Sequence, residues 1–304
     1  MLNISRAMKS DRIMKSLTGL STKKFETLLP YFELILQEEE AKRIKNNKKR
    51  QRKAGGGRKH TLDDTKFKLF YILFYLKIYP TFDLAGFIFD VNRSQTHRWT
   101  HHLLPLLEKA LGRKLVLPKR QVKDMLSLIE LFPETKDLFI DGTERKIQRS
   151  KDPKTQQNTY SGKKKTHTIK NLVVNNGKRK ILMITPTLKG SMHDKKIYDK
   201  YGLGDTIPKE ITQWLDTGFK GVEKRYDITV EMPKKKPRGK PLSYEDRENN
   251  KTISAIRITS EHAIGGIKRL GCVKDTYRNR IGNLEDKFIV VSAGIWNLEI
   301  ENVA

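Results

Sequence analysis

The spacing of apolar residues changes at Pro118, and that change restricts the chain to an α+β fold whose first part is all helical. Residues 21–40 read as an amphipathic helix opened by Ser21 and Thr22, with Phe25, Leu28, Leu29 and Phe32 along one face. Phe67–Leu76 is apolar nearly all round, the mark of a central helix; Thr61 with Asp64 caps it, and Pro80 stops it. Thr81 then caps a short helix, Phe82–Phe89, Asp90-Val91-Asn92 makes a turn, and Ser94 opens a further helix, Gln95–Leu107. After Pro118 short β-rich runs take over: Leu138–Asp141, Thr168–Val174, Ile181–Thr185, Ile211–Asp216 and Ile228–Met232. The Asn175-Asn176-Gly177 turn predicts a hairpin between the second and third of these. Helices are expected at Ser191–Tyr201, Ser254–Leu270 and Asn283–Asn297. The order β-β-β-α-β-α predicts a mixed five-stranded sheet, an antiparallel set extended by a parallel strand through a crossover helix.

Charge narrows the partner. Lys plus Arg number 62 against 35 Asp plus Glu, a net formal charge of +27. A polyanion fits such an excess, because each cation placed on a phosphate releases condensed counterions. The hydrophobic share of 37% supports a real core and excludes a disordered basic tail. Lys42–Lys59 holds no acid and contains Gly55-Gly56-Gly57, so it reads as a mobile basic arm on phosphates, or as a plain solvated linker. Lys234–Lys240 is a second basic loop. The one cysteine, Cys272, excludes an internal disulfide, no zinc-binding histidine pair is expected, and a reducing intracellular compartment follows. The most apolar stretch, Leu69–Ile78, is too short to span a membrane and carries Lys77; no signal peptide is read.

The two short helices around Asp90-Val91-Asn92 form a helix-turn-helix pattern. Leu84, Phe87, Ile88 and Val91 are expected on its buried side against Trp99 and Leu103. The polar turn carrying Arg93, Ser94, Gln95, Thr96, His97 and Arg98 is expected in the major groove of DNA. Ser94, Gln95 and Arg98 lead the candidates for base or phosphate contacts.

In so basic a chain the informative residues are acids. Asp141 closes an apolar strand before Gly142-Thr143, and Asp216 closes another before Thr217-Gly218. Such endings put a carboxylate at a sharp turn, with room for a metal and a phosphate beside the glycine. If the two strands are parallel neighbours, the carboxylates sit side by side, and a divalent cation relieves their repulsion. Glu261 is the third acid, on one helix face with Arg257 and Lys268. Singly, the aspartates read as turn formers and Glu261 as a partner of Arg257. Their combination behind a helix-turn-helix is what points to a metal site.

Several stretches together resemble a known family: Gly55-Gly56-Gly57-Arg58-Lys59, Tyr79-Pro80-Thr81-Phe82, Asn92–Trp99, Ile140–Glu144, Lys189–Asp194, Leu215–Phe219 and Arg257–His262. On these the chain resembles IS5-type insertion-sequence transposases, a DDE superfamily endonuclease with an N-terminal helix-turn-helix, over residues 21–298. The resemblance implies three segments: 1–60, an N-terminal helix and basic arm; 61–118, the helix-turn-helix; and 119–304, a ribonuclease-H-like catalytic domain. It implies a catalytic and metal-holding triad of Asp141, Asp216 and Glu261 around two Mg²⁺ ions, with Mn²⁺ able to substitute, and no nucleophilic Ser or Tyr. Lys268 falls at a basic position facing substrate phosphate, with Arg257 as its companion. Ser150–Lys165, including Lys163, Lys164 and Lys165, fits a hairpin grasping the DNA backbone. Asp194 is expected to cap its helix and orient neighbours. The second acid stands in a Leu-Asp-Thr-Gly-Phe context where relatives usually carry Gly-Asp-x-Gly-Tyr. The implied activity is cleavage of transposon terminal repeats and strand transfer to target DNA, by a homodimer on double-stranded DNA in a prokaryotic cytoplasm, at the nucleoid. The alternatives are a DNA-binding regulator or a domesticated endonuclease derived from a transposase.

Overall fold

The computed structural model describes residues 4–46, 64–130, 135–237, 239–279 and 284–301. The basic arm beyond residue 46, its glycine run and the expected cap Thr61 lie outside the described residues. The chain divides into two compact units, one of residues 1–117, 269–272 and 287–304, the other of residues 118–268 and 273–286.

The first unit begins with α1 (Ile4–Met8), α2 (Asp11–Thr18), α3 (Thr22–Asn46), α4 (Thr65–Ile78), α5 (Phe82–Phe89) and α6 (Arg93–Arg113). Every residue of α4 from Leu69 to Leu76 is buried, as its all-round apolar character requires. Asp64 caps α4 by accepting from the Lys66 amide. Ser21 does not act as the expected cap of α3: its amide and hydroxyl both donate to the Glu299 carboxylate near the C-terminus.

The helix-turn-helix is present with its faces assigned differently. Asn92, not Ser94, caps α6, its side chain accepting from the Gln95 amide at 2.8 Å. Phe87 and Leu84 are exposed, Phe87 at 86%, whereas Ala85, Gly86 and Phe89 face inward. Phe89 packs edge-on against Tyr71 and Phe74 of α4. Gly86 is needed at the turn, since a Cβ there would stand 2.6 Å from the Val91 carbonyl oxygen. The Tyr71 hydroxyl reaches the Thr96 carbonyl and the Thr100 hydroxyl, both at 2.9 Å, and burial pushes its pKa up to about 12. His97 and His101, which the sequence reading does not pair, lie one turn apart on α6 with ring centroids 4.3 Å apart.

The second unit holds α7 (Val122–Glu130), β1 (Asp137–Lys146), α8 (Pro153–Thr159), β2 (Tyr160–Ser161), β3 (Thr166–Asn176), β4 (Ile181–Ile184), β5 (Leu188–Lys189), α9 (Asp194–Lys200), α10 (Leu203–Thr206), β6 (Thr212–Trp214), β7 (Val230–Glu231) and α11 (Tyr244–Ile267). Its sheet runs β2-β3-β1-β6-β7, with β4 and β5 also paired to β3. The antiparallel partners of β3 and the parallel pairs β1–β6 and β6–β7 give the expected mixed sheet, with seven strands because β2 and β5, two residues each, join it. The hairpin turn after Asn176 is wider than an Asn-Gly pair; the Asn176 side chain accepts from the Lys178 and Lys180 amides, and Arg179 takes the positive φ. Leu138, Ile140, Leu172, Val174, Ile197, Tyr198 and Phe219 belong to one buried core.

The last elements are α12 (Gly271–Lys274) and α13 (Leu284–Ile300). From Lys287 onward α13 belongs to the first unit, where Phe288 meets Tyr79 and Asn297 donates to the Val116 carbonyl. No helix among the described residues is long and apolar enough to cross a membrane.

Candidate active site

Parallel pairing of β1 with β6 sets the site. Phe139 is the register partner of Trp214, so Asp141 and Asp216 each stand two residues beyond a matched pair. Asp141 is not at a strand end, as its Asp-Gly motif suggests; β1 continues to Lys146, because its antiparallel pairing with β3 runs through Asp141↔Val173 to Lys146↔Thr168. Asp216 lies just past the end of β6, accepting from the Thr217 amide at the start of a 3₁₀ turn.

A guanidinium lies between the two acids. Arg257 of α11 stands 3.8 Å from Asp141 Oδ2 and 3.8 Å from Asp216 Oδ1. Burial pushes the Asp141 pKa up, and the nearby charges of Asp216 and Asp194 add to the rise. The Arg257 charge and the Gly142 amide oppose it. Asp141 is thus buried and crowded enough to disfavour its ionisation, and an internal cation partly offsets this.

Asp194 belongs to this site and does not cap its helix. His193 holds the N-cap position of α9, and Asp194 is the first helical residue. Its carboxylate fills the space that the motif glycines leave. A Cβ on Gly142 would stand 2.6 Å from Asp194 Oδ1, and a Cβ on Gly218 3.3 Å from Oδ2. The room expected there for metal and phosphate is therefore occupied by a third aspartate. Lys170 of β3 holds it at 3.0 Å, reaches Glu144 at 3.3 Å and donates to the Met192 carbonyl. Glu144 also accepts from Thr168. Although burial works the other way, hydrogen bonds from Ser161 and Thr168 and the Lys170 charge keep the Glu144 pKa low. Glu144 and Lys170 escaped the sequence reading as a pair. Cross-strand neighbours become visible only with the β1–β3 register, in which Glu144 faces Lys170.

Lys268 closes α11 at its C-terminal end. Burial lowers its pKa and the charge of Lys164 lowers it further, while Asp141 and Glu144 counteract. Lys268 and Lys164 therefore share the electrostatic neighbourhood of Asp141. Ser150–Lys165 is not a continuous hairpin: α8 takes Pro153–Thr159, and only Tyr160–Ser161 pairs with β3 before an exposed tip bearing Lys163, Lys164 and Lys165.

Glu261 is exposed, one turn after Arg257 on α11. No group of three or more His, Cys, Asp or Glu side chains able to hold a metal ion occurs among the described residues. The oxygen donors of Asp141 and Asp216, already crowded around one cation, suit a hard divalent metal, and that pair is what the fold brings together.

In the helix-turn-helix, Arg93, Ser94 and Arg98 are exposed and Gln95 is half-buried. Thr96 is fully buried, its hydroxyl donating to the Phe82 and Arg93 carbonyls, and cannot touch DNA. A helix opened by Ser94 would put Thr96 in the groove, but α6 starts at Arg93, which turns Thr96 inward with Thr100.

The chain is similar to known proteins in both of its parts. Residues 60–113 match the helix-turn-helix of DDE superfamily endonuclease. A probable transposase for insertion sequence element IS702 from Microchaete diplosiphon is 28% identical over 230 residues, covering 75% of this chain and 78% of its own. No solved structure matches the chain. Endonucleases of this superfamily work with divalent metal ions. Residues 140–297 match the DDE superfamily endonuclease model, and the chain belongs to that family.

Proposed function

We propose that this endonuclease is an insertion-sequence transposase of the IS5 type, cutting transposon ends and joining them to target DNA. The observation that carries the reading is the β1–β6 register, which sets Asp141 and Asp216 side by side around Arg257. Asp141 and Asp216 would hold Mg²⁺, with Mn²⁺ as a substitute, and Glu261 would supply the third carboxylate from α11. Two ions bound there would lower the pKa of the attacking water or 3′-hydroxyl and stabilise the leaving 3′ oxygen of an in-line displacement. Asp194, held by Lys170, packs over Gly142 and Gly218 and fixes the backbone beside each aspartate. Arg257 exchanges its carboxylate partners for substrate phosphate, and Lys268 with Lys163, Lys164 and Lys165 grips the adjacent backbone. Arg93, Ser94, Gln95 and Arg98 read the terminal repeat from the 61–118 segment, ahead of a catalytic segment over 119–304 and behind the arm of 1–60. A homodimer joins the two ends, in a prokaryotic cytoplasm at the nucleoid.

Asp141→Asn, Asp216→Asn and Glu261→Gln each abolish Mg²⁺-dependent cleavage of an end-bearing duplex while DNA binding is retained. Full cleavage by any one removes that residue from the triad. The exposed position of Glu261 favours one second reading, a DNA-binding regulator with an inert catalytic fold. Wild-type protein that binds specifically and never nicks with Mg²⁺ or Mn²⁺ establishes that reading instead.

A further inference from the structure

Lys234, at the start of a basic loop, is fastened to α11 by three polar contacts. The Asn250 side chain accepts from the Lys234 amide at 2.7 Å and donates to the Lys234 carbonyl at 3.0 Å, pairing with that residue's backbone as a strand would. Lys234 also reaches Asp246 at 2.8 Å. Pro233, Pro237 and Pro241 recur every fourth residue and keep the segment out of helix and ladder. The result is a strap that holds Lys235, Lys236 and Lys240 exposed, with no ion pair to any of them or to Arg247 among the described residues. Holding like charges together opposes stability, a cost that a polyanion lying on them would offset.

The same helix supplies a path. Arg247, Lys251, Ser254, Ile258 and Glu261 follow one another at helical spacing along α11, and all five are exposed. Arg247, Asn250, Lys251 and Ser254 line a shallow basin with Leu242 beside the strap. From Arg247 to Glu261 the helix rises roughly 21 Å, about six base-pair steps of duplex.

We infer that the strap and this open face of α11 form a second, sequence-independent seat for duplex DNA, leading from the pinned lysines to Glu261. The seat itself stands on the pin and the exposed charges; only the role of its far end rests on the transposase reading. It is distinct from the helix-turn-helix, which lies in the other unit. DNA lying on it is held through phosphates about six base pairs from the cleavage point.

The test is salt-dependent binding of the full chain to a duplex without a terminal repeat, read by fluorescence anisotropy. Lys235→Gln/Lys236→Gln/Lys240→Gln should lower the slope of log K against log [KCl] by about 2 to 3, close to 0.9 per lost phosphate contact. Asn250→Ala keeps every charge yet frees the strap, and should weaken binding several-fold. A control triple, Lys123→Gln/Lys196→Gln/Lys224→Gln, removes the same charge from exposed positions elsewhere in the unit. Circular dichroism and melting temperature verify folding of each variant. Equal loss in the strap and control triples, or wild-type binding by Asn250→Ala, overturns the inference. Because no cleavage is measured, a negative result leaves the nuclease reading to its own test.

Discussion

The carboxylate of Asp194 stands where the side chain of Gly142 would begin, with Oδ1 2.6 Å from an ideal Cβ position. The residue after Asp141 must therefore be glycine for the third aspartate to reach the site. Gly142→Ala forces Asp194 away from Lys170 and costs about 1–3 kcal/mol by overpacking. In an Asp194→Ala background the same change is nearly neutral. A double-mutant cycle by urea unfolding measures the coupling, and additive losses would show that the two residues do not meet.

Asp141 gains stability from losing its charge. Burial and the neighbouring acids raise its pKa in the folded chain, so the folded state holds its proton more tightly than the unfolded state. Between the ordinary carboxylate pKa and the raised value, stability falls as pH rises, and above it the penalty is fully present. Asp141→Asn should accordingly melt higher than wild type at pH 7, with the difference shrinking toward pH 4. Melting curves across that range check it, and a lower melting temperature at pH 7 would contradict the crowding.

Arg257 serves as the resident neutraliser of the pair. Arg257→Gln leaves Asp141 and Asp216 facing each other and lowers stability without metal by about 1 kcal/mol, because the ion pairs are long and partly exposed. Addition of MgCl₂ should then raise its melting temperature more than that of wild type. Equal metal responses would mean that the guanidinium and the cation do not compete.

The helix-turn-helix separates binding from folding residue by residue. Arg98→Ala leaves the melting temperature unchanged and weakens terminal-repeat binding tenfold or more, about 1–3 kcal/mol for a lost base or phosphate contact. Thr96→Val does the reverse, costing about 1 kcal/mol of stability for two lost hydroxyl bonds. Phe87→Ser is near neutral because the ring is 86% exposed, while Phe89→Ala costs about 3–5 kcal/mol. Calorimetry with gel-shift assays on the same four proteins checks all these outcomes.

Local chemistry already dictates much of this molecule. An unbroken apolar run makes α4 central, Asn92 and Thr81 can cap helices wherever these fold, and Asp141 and Asp216 stand out because a basic chain places few acids after apolar strands. These features act over a few residues, so composition and period reveal them. Other features depend on contacts between distant segments. The side of α5 that turns inward is not fixed by its sequence, because five large apolar residues in eight offer two faces, and packing against α4 selects Phe89 over Phe87. The pairing of Glu144 with Lys170, and the seating of Asp194 over Gly142 and Gly218, follow from strand register and from where α9 lands on the sheet. The guanidinium between the two aspartates follows likewise from how α11 crosses β1. Side-chain type is written along the chain, but the balance of charge at a site depends on which distant residues the sheet and helices bring within a few ångströms.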